Sequence, residues 1–273
     1  MIPKIIHLCW LSGDAFPDSI RKCLETWNEK LKDYEIWLWG KRPVDCSCLN
    51  NLSVTEKHFD IDSTIWTKQA YEASKYAFAA DYIRLYALYN YGGIYLDADV
   101  IVYKNFDELL HLPYFIGCDQ IRAFEAAVIG ASKGCVWVKD ILDTYYDKTF
   151  IRTDGSYDTM ELPVRFHHVL TGLGYTFRRL YDISEFKDSN DKHIEVFEKR
   201  FFNSRNAVKV RKTKKSFCAH NYTGSWQTKL PHKKNLKDIL PNWLLYIIFT
   251  VGQRTWARNK YSWFQIPFEQ CNR

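Results

Sequence analysis

A chain of 273 residues has enough material for one large α/β domain with a buried core, and too little for two full-sized domains. Its 47% hydrophobic content, with 10 Trp, 18 Tyr and 17 Phe, excludes an extended disordered chain. The net charge of +6 is unevenly spread: residues 199–260 hold fifteen Lys or Arg against one acid, Asp238, a segment suited to an anionic polymer or lipid surface, or simply to solvent.

The eight cysteines are scattered, several in apolar runs, and read as reduced core residues. Met1 to His7 turns polar by Ser12-Gly13-Asp14, too soon for the apolar stretch of a signal peptide. A cytosolic chain is the expectation.

Ile5 to Trp10 is a short apolar run closed by Ser12-Gly13-Asp14, the pattern of a buried first strand. Pro17 suits the opening of a helix, and Ile20, Leu24, Trp27 and Leu31 recur at helical spacing. Tyr34 to Trp39 reads as a second strand. Strand, helix, strand is the usual opening of a parallel sheet with crossover helices.

From Lys68 to Tyr91 the spacing predicts one long helix, stopped by Gly92-Gly93, with Ile94-Tyr95-Leu96 following as a strand. Asp97-Ala98-Asp99 then falls where that strand ends, the place where open α/β sheets bind ligands. Val100 to Tyr103 carries the chain onward. Further strands are expected near Tyr114 to Cys118 and Ala127 to Ile129, helices near Val136 to Tyr146 and Glu161 to Leu170, and a late strand from Ser216 to His220.

Two aspartates separated by one residue mean little alone, because twenty Asp in this chain give about one and a half such pairs by chance. Asp60-Ile61-Asp62 lies in a polar connector and is assigned no chemistry. Asp97-Ala98-Asp99 differs in following a helix stop and a buried strand, which brings two carboxylates out together at a strand end. Hard oxygen ligands of this kind hold Mg²⁺ or Mn²⁺, and such a cation answers the charge of a departing diphosphate. The bland alternative is a pair of turn residues. Asp81 and Arg84, at i and i+3, share one helix face, and without further context would be an ordinary surface pair.

The run Ala80 to Asp99, with Asp81, Arg84, Gly92-Gly93 and Tyr95-Leu96-Asp97-Ala98-Asp99, resembles the signature of the DXD-containing sugar-binding glycosyltransferases of the family 32 type. That grouping includes the yeast initiating α-1,6-mannosyltransferase, bacterial capsular polysaccharide transferases and, distantly, the glucosylating domains of large clostridial toxins. Ile2 to Trp10 is similar to the family's first strand, and His220 to Trp226 to its C-terminal element. The resemblance implies a GT-A type fold: a single α/β domain with a mixed, mostly parallel sheet and flanking helices.

The same resemblance makes Asp99 the direct metal ligand, with Asp97 reaching the metal through water or holding the ribose. It makes Asp81 and Arg84 the grip on the donor sugar, Trp10 the aromatic stacked on the base, and Tyr95 a ribose contact or core residue. His220 would supply a nitrogen ligand, which favours Mn²⁺ over Mg²⁺ by ligand type, and Ser225 and Trp226 would hold the diphosphate. The resemblance is to enzymes that retain configuration and, with no obvious covalent nucleophile in the sequence, it implies front-face substitution. The donor expected from the resemblance is a nucleotide-sugar, UDP-linked hexose or N-acetylhexosamine first and GDP-mannose second.

The catalytic domain is placed at residues 1–228 and a basic, aromatic helical appendage at 229–273. Pro241 to Val251 is apolar but spans about half of what a bilayer crossing needs. Flanking Lys233, Lys234, Lys237, Arg254, Arg258 and Lys260 suit a helix lying on an anionic membrane; packing on the domain or in a homodimer stays open. The expected acceptor is a glycan, lipid-linked, in capsule or cell-surface polysaccharide synthesis, with the enzyme peripheral at the inner face of the cell membrane. Two rivals stand: a metal-dependent phosphohydrolase or nucleotidyltransferase using the same carboxylates, and a basic nucleic-acid-binding protein, for which no motif is present. No nucleic-acid partner is expected.

Overall fold

The computed structural model describes residues 1–119, 124–188, 192–203 and 212–221. In chain order the elements are β1 (Ile5–Cys9), α1 (Asp18–Lys30), β2 (Glu35–Gly40), β3 (Ser53–His58), α2 (Ile65–Glu72), α3 (Tyr76–Tyr91), β4 (Gly93–Leu96) and β5 (Val100–Val102). There follow β6 (Tyr114–Cys118), β7 (Phe124–Ala131), α4 (Val136–Asp143), α5 (Leu162–Gly172), β8 (Thr176–Leu180), β9 (His193–Phe197) and β10 (Cys218–His220). The proposed boundary at residue 228 and the appendage beyond it lie outside the described residues, as do Ser225 and Trp226.

Eight strands form one sheet in the order β3-β2-β1-β4-β7-β6-β9-β8. Every neighbouring pair is parallel except β4 with β7 and β6 with β7, so β7 alone runs against the others. The physical reason is the short link between β6 and β7, which permits a hairpin but not a crossover. This is the mixed, mostly parallel sheet with flanking helices that the sequence led us to expect.

Side chains alternate across the sheet. Ile6, Leu8, Ile94 and Leu96 face a layer made by Leu24 and Trp27 of α1 together with Val100, Phe106, Phe202 and Phe217. Tyr95 and Ile129 face the opposite layer, where Trp66, Phe78, Ile83, Trp137 and Phe166 come from α2 to α5. Each large apolar side chain buried in this way is worth about 1.5–3 kcal/mol. The aromatic richness of the sequence is therefore largely core.

Three expectations are corrected. The single helix from Lys68 to Tyr91 is two helices, α2 and α3, separated at Ser74, which has a φ of 55°. The break is closed by Ser74 N–H donating to the Tyr71 carbonyl and Lys75 N–H to that of Ala70, and it lets the Trp66 indole donate to the Phe78 carbonyl at 2.8 Å. Strands β3, β8 and β9 were not foreseen. β3 and β8 are the sheet's two edges, where one side of the ladder faces outward and polar residues are tolerated. Finally, β7 is eight residues long and not the short strand expected at Ala127 to Ile129.

Seven cysteines lie within the described residues and all are free thiols. Cys23, Cys48, Cys118 and Cys218 are buried, while Cys9, Cys46 and Cys135 are only partly so. No helix among the described residues is long and apolar enough to cross a membrane.

Candidate functional site

The site gathers at the C-terminal end of β4, and three elements converge on it. Helix α3 ends at Gly92, whose φ of 68° lets the chain turn directly into β4. Asp97 and Asp99 follow the strand, Asp97 N–H donating to the Ala127 carbonyl at 2.9 Å. From the far end of the chain, β10 pairs antiparallel with β5, setting His220 opposite Val100. Asn221 N–H then donates to the Asp99 carbonyl at 3.0 Å, which fixes the distant histidine beside the second aspartate.

On one side, the Arg84 guanidinium is buried and holds two acids: Nη2 lies 3.0 Å from Asp81 Oδ1 and 3.4 Å from Asp97 Oδ1. Its Nη1 donates to the Ala126 carbonyl at 2.7 Å, and the group lies 4.3 Å above the Tyr95 ring centre. Arg84 Nε has no partner among the described residues. Burial pushes the Asp81 carboxyl up to about 7, against the pull of Arg84 and, more weakly, Arg165. Arg165 belongs to a second buried pair, 3.3 Å from Asp158, and lies over the rings of Trp66 and Tyr145.

On the other side, His220 Nε2 lies 3.3 Å from Asp99 Oδ1 and Nδ1 lies 3.2 Å from Glu125 Oε1. Burial alone would lower the imidazole pKa, but the charge of Glu125 and the hydrogen bonds to Asp99 and Glu125 outweigh it and hold it well above 6.5.

Ligand atoms of Asp97, Asp99 and His220 all fall within 4.8 Å of one another. Ligands at about 2.1 Å from one ion lie about 3 Å apart when adjacent and about 4.2 Å apart when opposite, so the three side chains would draw together around an ion. Two carboxylates and an imidazole fit a divalent cation of the Mn²⁺ or Mg²⁺ type, the nitrogen leaning toward Mn²⁺. These residues would hold it, and it would supply Lewis-acid chemistry to a departing phosphate oxygen.

A bulge in β7 ties the two sides together. Ile116 of β6 faces Ile129, yet the next residue, Gly117, faces Glu125, so Ala126 to Val128 have no partner on β6. At the bulge the Ala126 carbonyl accepts from Arg84, while that of Ala127 continues the β4 register by accepting from Asp97 N–H. Bulges recur beside functional sites because they re-aim the chain in this way.

Of the residues named from the sequence, Asp81, Arg84, Asp97, Asp99 and His220 come together. Tyr95 is 1% exposed and its hydroxyl donates to Asp97 at 2.7 Å, which places it beneath Asp97 and Arg84, with no open face for a ribose. Trp10 follows β1, half-buried, its indole N–H donating to the Asp14 carbonyl at 2.7 Å and its ring 4.8 Å from that of Phe16. Asp60, left without a role, accepts from Asp62 N–H and caps a short turn. Glu125 and Asn203 were missed. A lone acid in the otherwise apolar run Phe124 to Ala131 was the available signal.

Residues 17–116 match the glycosyltransferase sugar-binding region containing DXD motif. The similarity to that family lies in this stretch. It holds Asp81, Arg84, Asp97 and Asp99 and ends within β6, leaving His220 to the part of the chain beyond it. The chain is 30% identical over 134 residues to inositol phosphoceramide mannosyltransferase 3 of Schizosaccharomyces pombe, covering 49% of this chain and 34% of that protein. It thus matches about a third of the length of the yeast enzyme. An uncharacterized glycosyltransferase of Acanthamoeba polyphaga mimivirus is 23% identical over 277 residues, covering 99% of this chain and all of that one. Among solved structures, the PaToxG glycosyltransferase superposes with a TM-score of 0.48 at 22% identity, covering 63% of this chain and 69% of that one.

Proposed function

We propose that this chain is a metal-dependent glycosyltransferase that moves a hexose or N-acetylhexosamine from a nucleotide-sugar to a glycan acceptor, with retention at the anomeric carbon. The observation that carries the reading is the Asp97, Asp99 and His220 cluster placed beside the buried Asp81–Arg84 pair. The first suits a cation on a diphosphate and the second suits sugar hydroxyls. A hydroxyl has donors and acceptors to offer both an unpartnered Arg84 Nε and the Asp81 carboxyl.

In this reading Arg84 and Asp81 fix the sugar ring while Asp99 and His220, with Asp97, hold the cation and through it the diphosphate. The described residues of the site offer no candidate covalent nucleophile within the metal cluster beyond the ligands themselves. Substitution on the face the diphosphate leaves is therefore favoured, the enzyme's contribution being positioning and fixed charge.

UDP-sugars are placed first, with Mn²⁺ as the cation that a nitrogen-containing cluster favours. The partial likeness to a mannosyltransferase sets GDP-mannose beside them. That relative acts on inositol phosphoceramide, which supports a lipid-linked acceptor, as does the basic, aromatic segment beyond residue 228. Attachment to an anionic membrane at the cytoplasmic face, a capsule or cell-surface glycan product, and a homodimer are parts of this proposal.

Thermal melting of the full chain with Mn²⁺ and a panel of UDP- and GDP-sugars tests it, because a ligand that binds the native state alone raises the melting temperature. One nucleotide-sugar should raise it in a Mn²⁺-dependent way and then yield a glycosylated acceptor. Release of phosphate from nucleotides with no sugar transfer to any acceptor would instead favour the phosphohydrolase. Flotation with anionic liposomes tests the membrane, and equal flotation of the full chain and one ending near Thr228 would count against it.

A further inference from the structure

Glu125 is a carboxylate in the middle of an apolar strand, and only 3% exposed. Burying such a charge is costly unless it is fully hydrogen-bonded. Its partners are specific. Oε1 accepts from Ala127 N–H at 3.1 Å and lies 3.2 Å from His220 Nδ1, while Oε2 accepts from the Asn203 side-chain amide. Asn203 is itself buried, at the end of the turn that follows β9. The carboxylate is thereby fixed from its own strand, from a distant turn and from β10.

The imidazole receives the effect. With Nδ1 directed at Glu125, the ring's other nitrogen, Nε2, faces Asp99 Oδ1. A histidine that donates Nδ1–H to a carboxylate presents the lone pair of Nε2 to a cation. The β7 bulge sets this geometry: it turns Glu125 opposite Gly117 and delivers the Ala127 N–H to the same carboxylate.

We propose that Glu125 is a positioning residue for metal binding, which locks the His220 tautomer and aims Nε2 at the cation held with Asp97 and Asp99. The proposal rests on the reading that those three residues are the metal site. Glu125 does not touch the cation and acts only through His220.

Binding of Mn²⁺ alone to the full chain, measured by calorimetry or by the paramagnetic signal of the free ion, tests this in a cycle of Glu125→Gln, His220→Ala and the double variant. Glu125→Gln should weaken Mn²⁺ binding about ten- to a hundredfold, and it should change nothing further in the His220→Ala background. Unchanged Mn²⁺ affinity in Glu125→Gln overturns the proposal, as does an equal loss in both backgrounds, which is the mark of general damage to the fold. If His220→Ala binds Mn²⁺ as tightly as the parent, the metal-site reading itself fails. Should Glu125→Gln not fold, Glu125→Asp carries the same measurement. Its shorter side chain keeps the charge and withdraws the oxygen from Nδ1, with the same weakening expected and unchanged affinity overturning the idea.

Discussion

Nε2 of His220 stands 3.3 Å from Oδ1 of Asp99. The contact joins a residue from the strand end of the DXD region to one from the last described strand, outside the matched segment. A divalent cation bound there would offset the repulsion between Asp99 and the second carboxylate, Asp97, whose ligand atoms lie within 4.8 Å.

Asp99→Ala should therefore abolish transfer and leave the fold standing. Lewis-acid stabilisation of a leaving group amounts to several kcal/mol, so a loss of about a thousandfold in turnover is expected. The metal-free melting temperature should move by only a few degrees, since about 1 kcal/mol corresponds to about 2–4 °C in a domain of this size. Steady-state rates and melting curves with and without Mn²⁺ check both halves. Metal-dependent transfer surviving in this variant would sink the assignment.

Much of this site was legible in the sequence because its parts sit at short, fixed spacings. Asp81 and Arg84 share a helix face, Gly92-Gly93 stops that helix, and Asp97 and Asp99 follow a four-residue strand. Glu125 was not legible, since its role depends on the register of β7 against β6, which the pattern of apolar residues does not encode. The break at Ser74 escaped for a related reason. No Gly or Pro marks it. Edge strands β3 and β8 were missed because, with one side of the ladder open, Ser53–His58 and Thr176–Leu180 carry too many polar residues to read as buried strands.

Asp81 gives a pH dependence of defined sign. Burial raises its folded-state value to about 7 from an unfolded value of 3.8, so the folded state binds the proton more tightly than the unfolded chain. Stability is then lost as pH rises between about 4 and 7, at no more than about 1.4 kcal/mol per pH unit. Asp81→Asn should remove this slope. Urea midpoints of parent and variant, compared across that range, should diverge in the variant's favour toward neutral pH, and parallel curves would contradict the buried-charge account.

His7 should act in the opposite sense. It is fully buried, its Nδ1 accepting from the Trp39 indole at 3.1 Å and its Nε2 donating to the Gly92 carbonyl at 2.7 Å. Burial lowers its pKa to about 4 from 6.5. The folded state thus disfavours the proton, and the stability this neutral ring contributes is complete above pH 6.5 and lost as pH falls toward 4, by about 3 kcal/mol in all. Replacement by Gln should cost stability at pH 7 through the lost hydrogen bonds, and should flatten the acid limb. The same urea series reads this, with the difference between parent and His7→Gln shrinking as pH falls.

The turn from α3 into β4 leads to the site, and Gly93 within it is packed tightly against β1. Its φ of 114° is hostile to any L side chain, and an added Cβ would stand 2.7 Å from the Ile5 carbonyl oxygen and 3.0 Å from His7 Nε2. Neither neighbour can yield, because Ile5 belongs to β1 and His7 is pinned at both nitrogens. Gly93→Ala should cost about 2–4 kcal/mol, combining backbone strain with overpacking, and should tilt β4 enough to misplace Asp97. Gly134 is the control, since its φ of 79° is also positive but an added Cβ meets nothing within 4 Å. Gly134→Ala should cost only the strain, about 1 kcal/mol, and should leave Mn²⁺ binding unchanged. Equal effects of the two substitutions on stability and on metal affinity would show that positive φ alone matters and that the close approach of β1 to this turn does not shape the site.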